Sequence, residues 1–263
     1  MRRNYTMLVA FMMLVAGSLT GHAQQNEDAN LTNSANHWRV KQNRGLFGLA
    51  KPDFGPFSTL KATKLDSAVI RKKKVDSRYI GGHFSGDSAG LDISKYLTIE
   101  KTTFYTLLLG NGNDTSTALF SIDAVSHEKR QTFLSRLFSN TDRDEVLDYN
   151  RTVKGSIATG NDDKNATFLL ERFTSGGRQT VANPFPFASI GSGYLATNAD
   201  TLRLETHSAF AVGITLTNTQ GQHMAVLAFN QTHPEIWIRE DTNQKDLKAI
   251  ATLFAVIISL KDF

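Results

Sequence analysis

Residues 246–262 read DLKAIATLFAVIISLKD, a helix-forming run that is apolar on almost every side and that closes a chain otherwise patterned as short strands. A helix resting on one face of a sheet needs an apolar arc of only a little over about 100°. Here only Lys248, Thr252 and Ser259 interrupt the apolar surface, and their spacing puts them on one narrow stripe. A helix with so wide an apolar arc has to be surrounded, and each large side chain it buries contributes about 1.5–3 kcal/mol before entropic costs. The polar stripe, the charges at both ends and a length short of the roughly 18–20 apolar residues of a membrane span make it a core element, not an anchor. Asp241 or Thr242 is placed to cap its N-terminus, with Asp246 in the early turns and Lys261 at its end matching the helix dipole.

The stretch before the helix breaks into β-favouring runs joined by turn chemistry. Residues 97–109 are dense in Thr, Tyr, Phe, Ile and Leu, and Gly110-Asn111-Gly112-Asn113-Asp114 hands them to residues 118–125, a hairpin signal. The same grammar recurs at Gly160-Asn161-Asp162-Asp163, Gly176-Gly177, 198–200 and Thr219-Gln220-Gly221, and residues 235–239 alternate as a last strand. Only residues 126–138 show helical spacing, through Phe133, Leu134, Leu137 and Phe138 behind a Ser126 cap, which predicts a short surface helix. Strand runs without alternating helices point to a mainly β fold, an antiparallel barrel or sandwich of about ten to twelve strands around a buried hydrophobic C-terminal helix.

The N-terminus carries Arg2 and Arg3, an apolar run over 7–19 and Gly21-His22-Ala23, the charged region, core and cleavage site of a secretory signal peptide over 1–23. The expected product is exported, in the periplasm, at the outer membrane or outside the cell, with no transmembrane segment after cleavage. Residues 24–36 are polar and Asn-rich and read as a disordered leader. Residues 37–95 read as a basic N-terminal strap with the first strands, its Gly and Pro punctuating aromatics that dock on a main domain over 96–263. The chain has no cysteine, which removes disulfides, thiol nucleophiles and thiolate metal sites together.

The formal net charge of +4 says little, but its distribution is uneven. Residues 37–74 hold ten Lys/Arg against two acids, whereas 75–263 hold seventeen against twenty-one. Lys61, Lys64, Arg71, Lys72, Lys73 and Lys74 are the candidate binding residues, and the polyanions available to an exported protein are anionic lipid head groups, lipopolysaccharide phosphates and acidic glycans. The alternative reading of the same segment is a solvated hairpin.

No motif supports catalysis, a metal or a cofactor. Gly86-Asp87-Ser88-Ala89-Gly90 resembles the surroundings of a serine-protease nucleophile, but only His37 and His83 precede it after the signal, with no room upstream for a first barrel. An unconventional hydrolase site of His83, Asp87 and Ser88 is the enzymatic alternative. Gly191-Ser192-Gly193 lacks the strand-to-helix setting of a nucleophile elbow. Residues 140–145 begin like a calcium loop but place Glu145 where glycine is needed and Arg151 where a bidentate Glu is needed. The histidines are scattered without the spacing of a helical zinc site, and His207 has Glu205 as a neighbour. Nucleotide and nucleic-acid signatures are missing.

The succession GITLTNTQGQHMAVLAF (213–229), EIWIR (235–239) and the apolar terminal helix resembles the last strands and helix of the tubby-like, LURP-one-related barrels. That resemblance covers residues 96–263 and implies a closed sheet threaded by its C-terminal helix, with phospholipid association as the family's typical role. The expectation is therefore a non-enzymatic binding or structural protein of the bacterial envelope, with anionic lipid, lipopolysaccharide or an envelope protein as partner. A protein-interaction module built on the aromatics of 38–57 is the remaining alternative.

Overall fold

The computed structural model describes residues 31, 34–43, 49–74, 95–112, 114–130, 145–160, 166–172, 174–175, 188–207, 213–229 and 233–260. Thirteen strands form one antiparallel sheet. In chain order they are β1 (Ala35–Arg39), β2 (Lys41–Asn43), β3 (Lys51–Phe54), β4 (Phe57–Lys74), β5 (Lys95–Asn111), β6 (Asp114–Arg130), β7 (Glu145–Thr159) and β8 (Ala166–Glu171), then β11 (Ser192–Ala196) to β15 (Pro234–Arg239). The last group includes β12 (Thr201–His207), β13 (Gly213–Thr217) and β14 (His223–Phe229), while β9 (Thr174–Ser175) and β10 (Ala188–Ser189) pair as a separate ribbon. Helix α1 spans Gln244–Ser259.

The sheet is a meander from β2 to β15 that is nearly closed into a barrel by its first strand. β1 pairs with β15 and β2 pairs with β3, yet the two are halves of one run separated only by Val40. Val40 is 1% exposed and its N–H donates to the Pro234 carbonyl at 2.9 Å, so this one segment stitches the two ends of the strand order together.

Helix α1 fills the interior. Its residues from Ala249 to Ser259 are all buried, and Ile250 through Leu260 are fully so, as the all-round apolar pattern requires. The polar stripe is accounted for position by position. Lys248 leaves the core to meet Asp114 at 2.7 Å, and the Thr252 hydroxyl bonds Ser116 at 2.6 Å and the Lys248 carbonyl at 2.7 Å. The Ser259 hydroxyl is buried with no partner among the described residues. The helix starts one residue later than a cap at Thr242 requires and two later than one at Asp241: Asn243 is the cap, its Oδ1 accepting from the N–H groups of Lys245 (3.1 Å) and Asp246 (3.0 Å). Its own side-chain amide donates to the Asp246 carboxylate at 2.6 Å, locking the first turn.

Below the helix the interior is filled by rings in one register row. Tyr105 on β5 stacks on Phe120 of β6 at 5.3 Å, and Phe120 reaches Phe168 of β8 at 6.5 Å across Gly155 of β7. A Cβ on Gly155 would lie 2.5 Å from the Leu119 carbonyl and 2.6 Å from Phe120 Cβ, so the row closes only with glycine there.

Three expectations change. The aromatics of the 37–95 strap do not dock on the domain from outside: Trp38, Phe54 and Phe57 lie on β1, β3 and β4 of the same sheet and pack ring to ring at 5.6–6.4 Å, with Gly55-Pro56 making the turn between β3 and β4. The leader stops short of 36, since Leu31 is buried and Ala35–Arg39 is β1. Residues 126–130, given to a short helix, continue β6 to Arg130, where pairing with β5 and β7 overrides the helical spacing contributed by residues beyond 130, which lie outside the described residues.

Candidate functional site

All six basic residues singled out in the sequence fall on one strand, β4. It runs 18 residues, and β3 flanks it only at Phe57 and Ser58. Two bulges, between Thr59 and Lys61 and between Lys64 and Asp66, insert Leu60 and Leu65 as extra residues against β5. Both leucines are consequently exposed, at 55% and 58%, beside the exposed Lys61 and Lys64. Further along, Val69 and Ile70 are exposed at 49% and 55%, so four of the large apolar residues on the described surface share this strand. Phe104, opposite Asp66 on β5, and Leu119 on β6 extend the apolar surface.

The register gathers more charge than the sequence reveals. Arg71 to Lys74 pair with Ile99 to Tyr96 of β5, Tyr96 pairs with Lys129 of β6, and Lys95 pairs with Arg130. Lys95, Lys129 and Arg130 thus sit at the same end of the sheet as the four-residue basic run. Nothing in the sequence flagged them, because they are more than twenty residues away from it and only strand pairing unites them. Glu128, Glu145 and Asp148 are the acids at the same registers.

Two acids on the described surface near the middle of β4 are already engaged. Asp66 accepts the N–H of Ser67 at 2.7 Å. Asp123 on β6 meets Lys154 at 2.8 Å and the Thr102 hydroxyl at 2.8 Å. Burial pushes the Asp123 carboxyl up, but the hydrogen bonds from Lys154 and Thr102 and the Lys154 charge outweigh it and hold it below the usual carboxylate range. A folded-state value below the unfolded one means stabilisation that is present above the unfolded value, about pH 4, and lost as pH falls through the lower folded value. Asp123→Asn is expected to cost no more than about 1 kcal/mol at neutral pH, because the pair is partly exposed. The difference from the parent should vanish in urea titrations run progressively below about pH 4.

Among the described residues one side of the β4 backbone has no partner strand beyond Ser58. Asn111 and Asp114 close a two-residue loop in which Gly112 takes φ +60°, a conformation suited to glycine, so they form a hydrogen-bonded pair of the β5–β6 hairpin. Alternation then turns the even-numbered residues of β5 toward β4. Their partners Asp66, Ala68, Ile70, Lys72 and Lys74 bond to β5, while Ser67, Val69, Arg71 and Lys73 direct N–H and C=O away from it. Two contacts agree with this assignment: the Thr59 N–H, on the free side by the same count, donates to Asp53 Oδ1 at 3.0 Å, and the Ser67 N–H turns to Asp66.

Elsewhere the described residues offer little chemistry. No group of three or more His, Asp or Glu side chains is arranged to hold a metal among them. His37 stacks on Trp237 at 4.5 Å with Glu235 at 3.5 Å, and Arg39 shares that carboxylate at 3.4 Å, a surface cluster across β1 and β15. Glu205 pairs with Arg203 at 2.6 Å. Ser192, the first residue of β11, donates to its cross-strand partner Glu171 of β8 at 2.6 Å. His83, Asp87 and Ser88 lie outside the described residues, as do 140–144 of the calcium-like stretch. No helix among the described residues is long and apolar enough to cross a membrane. Comparison with protein-family models, with curated proteins and with solved structures returned no match.

Proposed function

We propose that this chain is an exported, non-enzymatic binding protein of the cell envelope that docks on phosphate-rich anionic surfaces, the head groups of acidic lipids or of lipopolysaccharide, through β4. The observation that carries the reading is the sharing of one strand by six cations and four exposed aliphatic side chains. Cations near an anionic surface contribute about 1 kcal/mol each, and aliphatic side chains inserted at the head-group boundary add burial of their own. Lys95, Lys129 and Arg130 extend the charge at the same end. The signal-like N-terminus and the resemblance to a lipid-associated barrel family support the same partner class.

Co-sedimentation with acidic and with zwitterionic vesicles, and with lipopolysaccharide, tests the proposal. Binding is expected to the acidic surfaces only and to weaken strongly between about 0.1 M and about 1 M salt as the screening length falls from about 10 to 3 Å. The double charge reversal Lys61→Glu/Lys64→Glu should weaken it by at least about tenfold. Binding that ignores both salt and charge reversal overturns the reading.

A further inference from the structure

The free backbone edge of β4 goes beyond an electrostatic surface. Among the described residues, from Thr59 to Lys74, no strand flanks β4 on the side away from β5 and no backbone hydrogen bond from another element reaches it there. An open edge of this length is a template for another strand, which natural proteins ordinarily blunt. Here the blunting is confined to one part. The two bulges and the pairing of Ser67 with Asp66 spoil the edge up to Ser67, whereas Ala68 to Lys74 is paired with β5 without irregularity.

We infer that the Ser67–Lys74 edge of β4 accepts an extended segment of a partner protein by strand addition, and that this segment is apolar opposite Ala68–Ile70 and acidic opposite Arg71–Lys74. Main-chain bonds to Val69, Arg71 and Lys73 supply the attachment, and side-chain complementarity supplies the choice of partner. Charge complementarity selects the occupant. Arg71, Lys72, Lys73 and Lys74 form a run of four cations along this edge, so a segment carrying cations opposite them would meet like charges, which are destabilising. Carboxylates in the same places reverse the sign. The exposed Val69 and Ile70 give the apolar half a surface to cover.

The probe is a capped peptide of about eight residues, Glu-Asp-Glu-Glu-Val-Ile-Val-Thr, antiparallel to β4 with its acids facing the basic end. Fluorescence anisotropy on the full mature chain is expected to show binding that falls at least about tenfold when the peptide is N-methylated on the amides facing β4, but not when the other set is methylated. A Lys-for-Glu/Asp peptide should not bind. On the protein, Val69→Pro removes an N–H that β5 does not use and plants a ring on the free edge, so it should abolish peptide binding, while Val69→Thr retains it. If Val69→Pro does not fold, the methylated peptides still decide on the unaltered chain. Equal binding of both methylated peptides reduces the interaction to charge attraction and overturns the inference. So does failure of the peptide to bind a protein that binds acidic vesicles, which leaves the proposed function standing. Vesicle binding preserved in Val69→Pro separates the two activities.

Discussion

Phe254→Ala is expected to lower the free energy of unfolding by about 3–5 kcal/mol, a large part of the stability of an ordinary domain. Phe254 is fully buried in α1, on a helix with no exposed face over its last turns, so the surrounding staves cannot collapse onto the gap without bending the barrel wall. Urea denaturation followed by fluorescence checks this, and a loss under about 1 kcal/mol would show that the helix is not enclosed. The same helix supplies a control of opposite sign. Ser259 buries a hydroxyl with no described partner, so Ser259→Ala should leave stability unchanged or raise it by about 1 kcal/mol. A model of the helix as a peripheral element predicts small effects from both substitutions.

The second large effect concerns closure. A chain beginning at Lys41 lacks β1 and Val40, and so leaves the β15 edge from Pro234 to Arg239 unpaired and removes the Trp38 ring from Phe54 and Phe57. Loss of the half-buried Trp38 ring together with the β1–β15 pairing removes a large part of the stability of a marginal domain. The truncated chain is expected to lose its cooperative thermal transition. A synthetic peptide of residues 31–43 added in trans should restore the transition, with a midpoint that rises with peptide concentration. A truncated chain that melts as sharply as the parent would mean that the sheet does not depend on being closed.

The sequence made the central helix legible because its composition admits only an enclosed position, whatever encloses it. It made the hairpins legible because Gly112, Gly160 and Gly221 sit at positive φ where the turn residues cluster. The N-terminal staves were harder to see. Pro52, Gly55 and Pro56 read as breakers, yet Pro52 is accommodated within β3, its carbonyl receiving the Thr59 hydroxyl at 2.6 Å. The strands that close the sheet were invisible, since nothing local in residues 35–39 announces a partner in residues 235–239. The binding surface was half legible: the basic run is a composition signal, but the exposure of Leu60 and Leu65 comes from bulges, and the approach of Lys95, Lys129 and Arg130 comes from register. Neither is written in the order of residue types.

The seam between β1 and β15 also sets a clock. Arg39 and Glu235, which meet across it, are 196 residues apart, so the first structured strand to be synthesised waits for nearly the last. Until Pro234–Arg239 has been made the barrel stays open along its length, and until α1 follows it has nothing at its centre. Contacts of such long separation are reached late and slowly. Assembly is therefore concentrated at the end of chain production: a product truncated before β15 would be an unsealed sheet with an open edge for a protease to sample, and one truncated between β15 and α1 would lack the helix at its centre.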